Sequence, residues 1–173
     1  AVSQLVSCDG RYIPALSAAI GGAAENIVVD DEEAAKAAIS MLKKIGGGRA
    51  TFLPVSLMRP RDLHPRAIQV LSSMKGVRPL LSVLSYPEHV EPCVKYLCGR
   101  IVLADDLDTA LAFMRASGWT TRTVTLSGES IEPGGAMTGG EAPRSEALFR
   151  RKQDLMDLAA EEARLSGEMD LVL

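Results

Sequence analysis

Four glycines in seven positions, Gly134, Gly135, Gly139 and Gly140, stand in the stretch Glu132 to Glu141, Glu-Pro-Gly-Gly-Ala-Met-Thr-Gly-Gly-Glu. Such backbone takes positive φ, or lies flat against another backbone where a Cβ would collide, so it can cradle a phosphate, pack on its own sheet or meet a second chain. A Walker-type phosphate loop ends in Gly-Lys-Ser/Thr and opens a helix, whereas Glu141 follows the second glycine pair here. The Gly-x-Gly-x-x-Gly spacing of a dinucleotide loop is absent too. His64 and His89 sit in proline-containing turns without carboxylate or cysteine partners at ligand spacing, which reads as two surface histidines rather than a metal site. Cys93 and Cys98 are five apart on a predicted helix and so face different ways. Asp30-Asp31 and Asp105-Asp106 would suit magnesium, but each pair opens a predicted helix, where capping accounts for it. No Ser-His-Asp or Cys-His arrangement can be proposed from residue order. Neither catalysis nor a cofactor or metal is expected in this segment.

Basic residues form two enrichments. Arg144, Arg150, Arg151 and Lys152 gather with only Glu146 opposing them, and Arg59, Arg61, Arg66, Lys75 and Arg78 stand against one acid, Asp62. Either group would give a salt-sensitive, sequence-independent affinity for a phosphate backbone; the plainer reading is a solvated helix face. The net charge of −3 supplies no global field for nucleic acid, so any such contact has to be local.

These residues need a scaffold. In 173 residues, 47% hydrophobic and 4% aromatic, the apolar mass is aliphatic, which suits helices packed on short strands in one domain or two small ones. No apolar run is long enough to span a membrane and no signal peptide opens the chain, so the three cysteines are expected to be reduced thiols in the cytosol. The start at Ala1 and the end inside a predicted helix read as an excised piece of something longer.

Val2 to Val6 is expected as a strand, Arg11 to Ile20 as a helix stopped by Gly21-Gly22, and Asn26 to Val29 as a buried strand. Asp30 or Asp31 then caps a helix running to about Lys44 that buries Ala35, Ala38, Ile39 and Leu42, and Ala50 to Leu53 returns as a strand. Pro65 to Met74 is expected as a helix. The pattern then recurs: a strand over Val77 to Leu84, a helix from Pro87 to Leu97, a strand Ile101 to Leu103, a helix capped by Asp105 and stopped by Gly118, and a hairpin from Thr123 to Ile131. Overlaying Ile27 on Ile101, Asp31 on Asp105 and Arg49 on Arg122 gives two related subdomains in tandem, residues 1–75 and 76–143. From Ser145 neither Gly nor Pro appears until Gly167, and six of eight seam positions, Leu148, Leu155, Leu158, Leu165, Met169 and Val172, are apolar. Residues 144–173 are therefore expected to begin a coiled coil, with an amphipathic helix folding back on the domain as the alternative.

Three blocks in order carry a family resemblance: Gly21-Gly22-Ala23-Ala24-Glu25-Asn26-Ile27-Val28-Val29, Gly48-Arg49-Ala50-Thr51-Phe52-Leu53-Pro54, and Pro133-Gly134-Gly135-Ala136-Met137-Thr138-Gly139-Gly140 leading to the coil. Together they resemble the hinge domain of bacterial-type structural maintenance of chromosomes (SMC) proteins. The resemblance implies a mixed α/β fold, two tandem strand-helix subdomains forming the hinge, and a homodimer joining two arms. It also implies DNA as a partner, a nucleoid-associated cytoplasmic location, and an ATPase head elsewhere in the protein that meets kleisin-type and accessory subunits. Carried over, Gly134, Gly135, Ala136, Met137, Thr138, Gly139 and Gly140 are dimer-interface candidates. Arg144, Arg150, Arg151 and Lys152, with Arg59, Arg61 and Arg66, are DNA-binding candidates. Two competing readings remain open at this level: a duplicated α/β enzyme domain binding a nucleotide between its halves, and a monomeric DNA-binding protein.

Overall fold

A computed structural model describes residues 1–172; Leu173, the last residue of the expected arm, lies outside it. The run Val2 to Val6 is a helical turn, α1 (Val2–Leu5), not the expected strand. A strand would place Gln4 on the buried face beside both valines. As a helix the chain buries Val2 and Val6 and leaves Gln4 exposed, where its side-chain oxygen accepts from the Ala1 ammonium at 2.9 Å. Strand β1 (Ser7–Cys8) follows, and Asp9 accepts from the Arg11 N–H to open a 3-10 turn into α2 (Ile13–Ile20). Ile13, Leu16 and Ile20 are buried, and Gly21 ends the helix at φ 54°.

Next come β2 (Ile27–Val29), α3 (Glu32–Ile45) and β3 (Phe52–Pro54), with the two strands parallel. The ends of α3 follow its sequence: Asp31 accepts from the Ala34 N–H at 2.8 Å, Glu32 and Glu33 occupy the first turn, Lys43 and Lys44 the last, and Gly46 stops it in the left-handed region. Its burial does not. Ala35 alone is buried, and Ile39, expected inside, is 43% exposed.

Helix α4 (Pro65–Leu71) is shorter than expected. The strand expected over Val77 to Leu84 is broken. β4 (Val77–Pro79) ends at a proline that has no N–H to donate, a 3-10 turn follows, and β5 (Leu84–Ser85) leaves to pair with β1. Then come α5 (Glu91–Cys98), β6 (Ile101–Ala104), α6 (Leu107–Ser117), β7 (Arg122–Thr125), β8 (Ser130–Ile131), β9 (Met137–Thr138) and α7 (Ser145–Val172). Five strands form one sheet in the order β4-β6-β7-β8-β9, while β2-β3 and β1-β5 are separate pairs.

The duplication is real, but its register differs from the sequence overlay. Asp106, not Asp105, caps α6, accepting from the Thr109 N–H at 2.7 Å, while Asp105 pairs with Arg78 at 3.1 Å. Asp31 thus corresponds to Asp106, and Val28 to Leu103, both of which pack in the core shared by the two copies. Strand pairing sets Leu53 beside Val28 and Val124 beside Leu103, so Thr51, not Arg49, corresponds to Arg122. A one-residue slip in a strand moves every side chain to the other face, which is how packing resolves an ambiguity that two adjacent aspartates leave in the sequence.

The copies interlock. The shared core holds Leu16 and Ile20 of α2, Cys93 and Val94 of α5, Leu53, Leu103, Val124, and Phe149 of α7. The Arg122 guanidinium, on β7, donates to the Ala19 and Ala18 carbonyls at 2.8 and 2.9 Å, closing the C-terminal end of α2 where a cation is favoured. A strap of the connecting segment crosses α5: Arg61 stacks on Tyr96 at 4.4 Å, and Arg100 Nε donates to the Asp62 carbonyl at 3.2 Å. A second core, around Phe113 and Met114 of α6, Val102 and Ile131, is covered by α4 through Ala67. Helix α4, grouped by sequence with the first copy, packs on α6 and β4 of the second.

Candidate interface at the glycine-bordered edge

Strand β9 is the last of the five-stranded sheet, pairing Ser130 with Thr138 and Ile131 with Met137; its other edge has no partner among the described residues. The loop before it closes with Glu132 N–H donating to the Ala136 carbonyl at 2.9 Å and Gly135 N–H to the Glu132 carbonyl at 2.8 Å. The glycines divide by role. Gly135 and Gly140 have φ of 92° and 116°, which only glycine adopts without strain, so turn geometry within the chain explains them. A Cβ on Gly139 would meet Glu129 Cγ at 3.2 Å. Gly134 has neither constraint: its φ is ordinary and nothing lies within 4 Å of the position a Cβ would take. Met137 is 51% exposed, and Ala136, Thr138 and the glycines are open to solvent with it. Two of the interface candidates, Met137 and Thr138, thus form a short edge strand. Such an edge invites pairing with another chain.

Sequence reasoning missed the complementary feature. In the second copy β7 is flanked by β8; in the first, the outer edge of β3 carries no strand among the described residues. The signal was available in the duplication itself, since the first copy has no segment that corresponds to the β8–β9 hairpin.

The two basic groups lie on different elements. Arg144, Arg150, Arg151 and Lys152 lie at the start of α7, whose first turns pack on α1, α2 and β1. There Arg150 is bound to Glu146, and Lys152 donates to the Gln4 carbonyl at 2.6 Å, where burial draws its ammonium below the usual lysine range. Arg144 and Arg151 are exposed and have no ion-pair partner among the described residues. Arg59, Arg61 and Arg66 lie on the strap and α4: Arg59 is exposed, Arg61 is stacked on Tyr96, and Arg66 lies over Gly118. Beyond the docked turns the α7 seam opens to solvent: Leu155, Leu158, Leu165, Met169 and Val172 are all exposed, as a coiled-coil strand requires.

The cysteines are buried in the core, where loss of solvent pushes the Cys8 thiol up to about 11 and Cys98 to about 12. No group of three or more metal-ligating side chains occurs among the described residues, and no described helix is long and apolar enough to cross a membrane. The nucleotide-enzyme alternative finds no support, because the space between the halves is filled by α2, α5 and their apolar neighbours.

Comparison with known proteins agrees with this geometry. Residues 1–114 match the family model of the SMC proteins flexible hinge domain. The chromosome partition protein Smc of Bacillus subtilis (strain 168) is 34% identical over 99% of this chain, and the chain spans about 15% of that relative's length. A crystal structure of an asymmetric dimer of the Geobacillus stearothermophilus SMC hinge domain superposes with a TM-score of 0.82 at 31% identity, covering 97% of this chain and 69% of that one. The Pyrococcus furiosus Smc hinge domain with an extended coiled coil superposes at 0.69 and 30% identity, covering 96% and 62%. The duplicated strand-helix fold, its unpaired glycine-bordered edge and the helix leaving it place this chain in the SMC hinge family.

Proposed function

We propose that this chain is the homodimerisation hinge of a chromosome-partition SMC protein, joining two copies at the ends of their coiled-coil arms. The observation that carries the reading is β9, an edge strand bordered by glycines at one end of a five-stranded sheet, in a chain whose other copy leaves the outer edge of β3 without a strand among the described residues. Strand addition between the two supplies backbone hydrogen bonds without side-chain conflict. A twofold dimer then makes the contact twice, β9 of each copy on β3 of the other. The work of the module is joining, not catalysis. ATP binding, and the kleisin-type and accessory subunits, belong to heads elsewhere in the longer protein, and the location is cytoplasmic, on the nucleoid.

Gly134→Phe is the direct test, because the chain itself has room for the side chain. The wild-type fragment is expected near twice 18.4 kDa by light scattering across a dilution series, and the variant near 18.4 kDa with an unchanged melting temperature. A variant that stays dimeric like the wild type overturns the edge assignment.

DNA contact is the second part of the reading, supported by the free cations Arg144 and Arg151 where the globule meets the arm. Reversing both to Glu is expected to weaken DNA binding at low salt and flatten its salt dependence. Arg150→Glu is expected to do less, since its charge is already answered by Glu146. Equal gel-shift affinity for the double variant and wild type would remove this part and leave the dimer untouched.

A further inference from the structure

Corresponding helices in the two copies are treated oppositely. On α6, Phe113 and Met114 are 0% exposed beneath α4. Counting from the caps Asp31 and Asp106, their counterparts on α3 are Ala38 and Ile39, the latter 43% exposed, and further along the same helix Met41 is 64% and Ile45 69% exposed. Among the described residues no helix covers α3 as α4 covers α6. We propose that the flank of α3 carrying Met41 and Ile45 is the side-chain half of the dimer contact, covered by Met137 and its surroundings in a second copy. This rests on the hinge reading above and deepens it by naming apolar side chains on both partners.

Position and direction support the assignment. Ile45 lies on the acceptor side: a Cβ built on Gly47, in the stretch leading to β3, would be 3.2 Å from Ile45 Cδ1 and Cγ1. In the second copy β8 runs antiparallel to β7, and a strand taking the corresponding place beside β3 runs antiparallel as well. Since β-α-β crossovers are right-handed, antiparallel addition keeps α3 of one copy and α6 of the other on one face of the joined sheet. Met137 stands opposite Ile131, which packs against α6, so Met137 points to that face and reaches the α3 flank. Area points the same way. Two short strands bury far less than the roughly 1,200–2,000 Å² of a stable interface, and the uncovered apolar side chains beside them supply the remainder. Charge is complementary: Lys43, Lys44 and Arg49 lie at the acceptor and the exposed Glu141 borders the donor.

The test uses the 173-residue chain with Met41→Gln/Ile45→Gln, side chains exposed enough that the monomer fold is indifferent to them. The dimer dissociation constant, from light scattering or sedimentation over a dilution series, is expected to rise by about tenfold to a hundredfold, with an unchanged circular dichroism spectrum. Ile68→Gln, on α4 and 54% exposed, is expected to leave it unchanged. If Met41→Gln/Ile45→Gln dimerises like wild type while Gly134→Phe is monomeric, the α3 flank is not part of the contact and the hinge reading stands. Equal weakening by Ile68→Gln also overturns the assignment, and a wild type that is monomeric at every concentration overturns the hinge reading itself.

Discussion

The two copies of the strand-helix-strand unit share caps, crossover and glycine stops, yet one is finished and the other is not. In the second, β6 and β7 sit inside a five-stranded sheet and α6 lies under α4; in the first, β2 and β3 form a bare pair and α3 has a single buried residue. Their shared caps and parallel strand pairing make the contrast informative. A domain that needed both units only for its own stability would cover both. Leaving one open at a stretch of backbone and apolar surface costs stability in the monomer, and under the proposed dimer contact that cost is recovered when a second copy closes it.

The largest expected effect concerns the strap that ties the copies together. A Cβ on Gly99 would stand 1.8 Å from the Arg61 carbonyl oxygen and 2.4 Å from that of Lys95, so the backbone of the strap must move. Gly99→Val is expected to lose more than about 3 kcal/mol in chemical denaturation. A loss under about 1 kcal/mol would mean that the strap does not hold the copies in register.

A matched pair of truncations measures the asymmetry itself. Met114→Ala, in the closed unit, is expected to cost about 2–5 kcal/mol, and Ile39→Ala, at the corresponding place in the open one, less than about 1 kcal/mol when measured on the monomeric Gly134→Phe background. Similar losses at the two sites would erase the distinction between finished and unfinished units.

The smallest effect is on pH dependence in the core common to both copies. Folding raises the Cys8 thiol to about 11 and Cys98 to about 12 from an ordinary value near 9. Their contribution is therefore fully present below pH 9 and is lost as pH rises through 9 towards 12, because the unfolded thiols ionise first. Stability should fall over that window, and a thiol reagent at pH 8 should label the native chain slowly and the denatured chain fast. Rapid native labelling of all three cysteines would show that the shared core opens.

Local features were legible wherever one short stretch determines them. The Asp30-Asp31 pair opens α3, Gly118 ends α6, and a hairpin follows β7, because a side-chain oxygen reaching an N–H three residues on, or a left-handed φ, depends on neighbours in sequence. The run Val2 to Val6 is ambiguous because five residues cannot separate a two-residue from a 3.6-residue period; what decides is that Val2 and Val6 have a core to face together. The break at Pro79 was visible as a proline, but the departure of β5 towards β1 depends on a strand 77 residues away along the chain.

Local sequence is enough to show a duplicated α/β unit, the glycine stops of α2, α3 and α6, and a glycine-rich stretch before a long helix, since these follow from hydrogen bonding and steric freedom over a few residues. Only the tertiary packing settles the register of the duplication, the joining of α2 and α5 in one shared core, and which copy is left open. Those depend on burial, and burial of α6 but not α3 is set by α4 and the β8–β9 hairpin arriving from elsewhere in the chain, an effect of distance in space that no local pattern encodes.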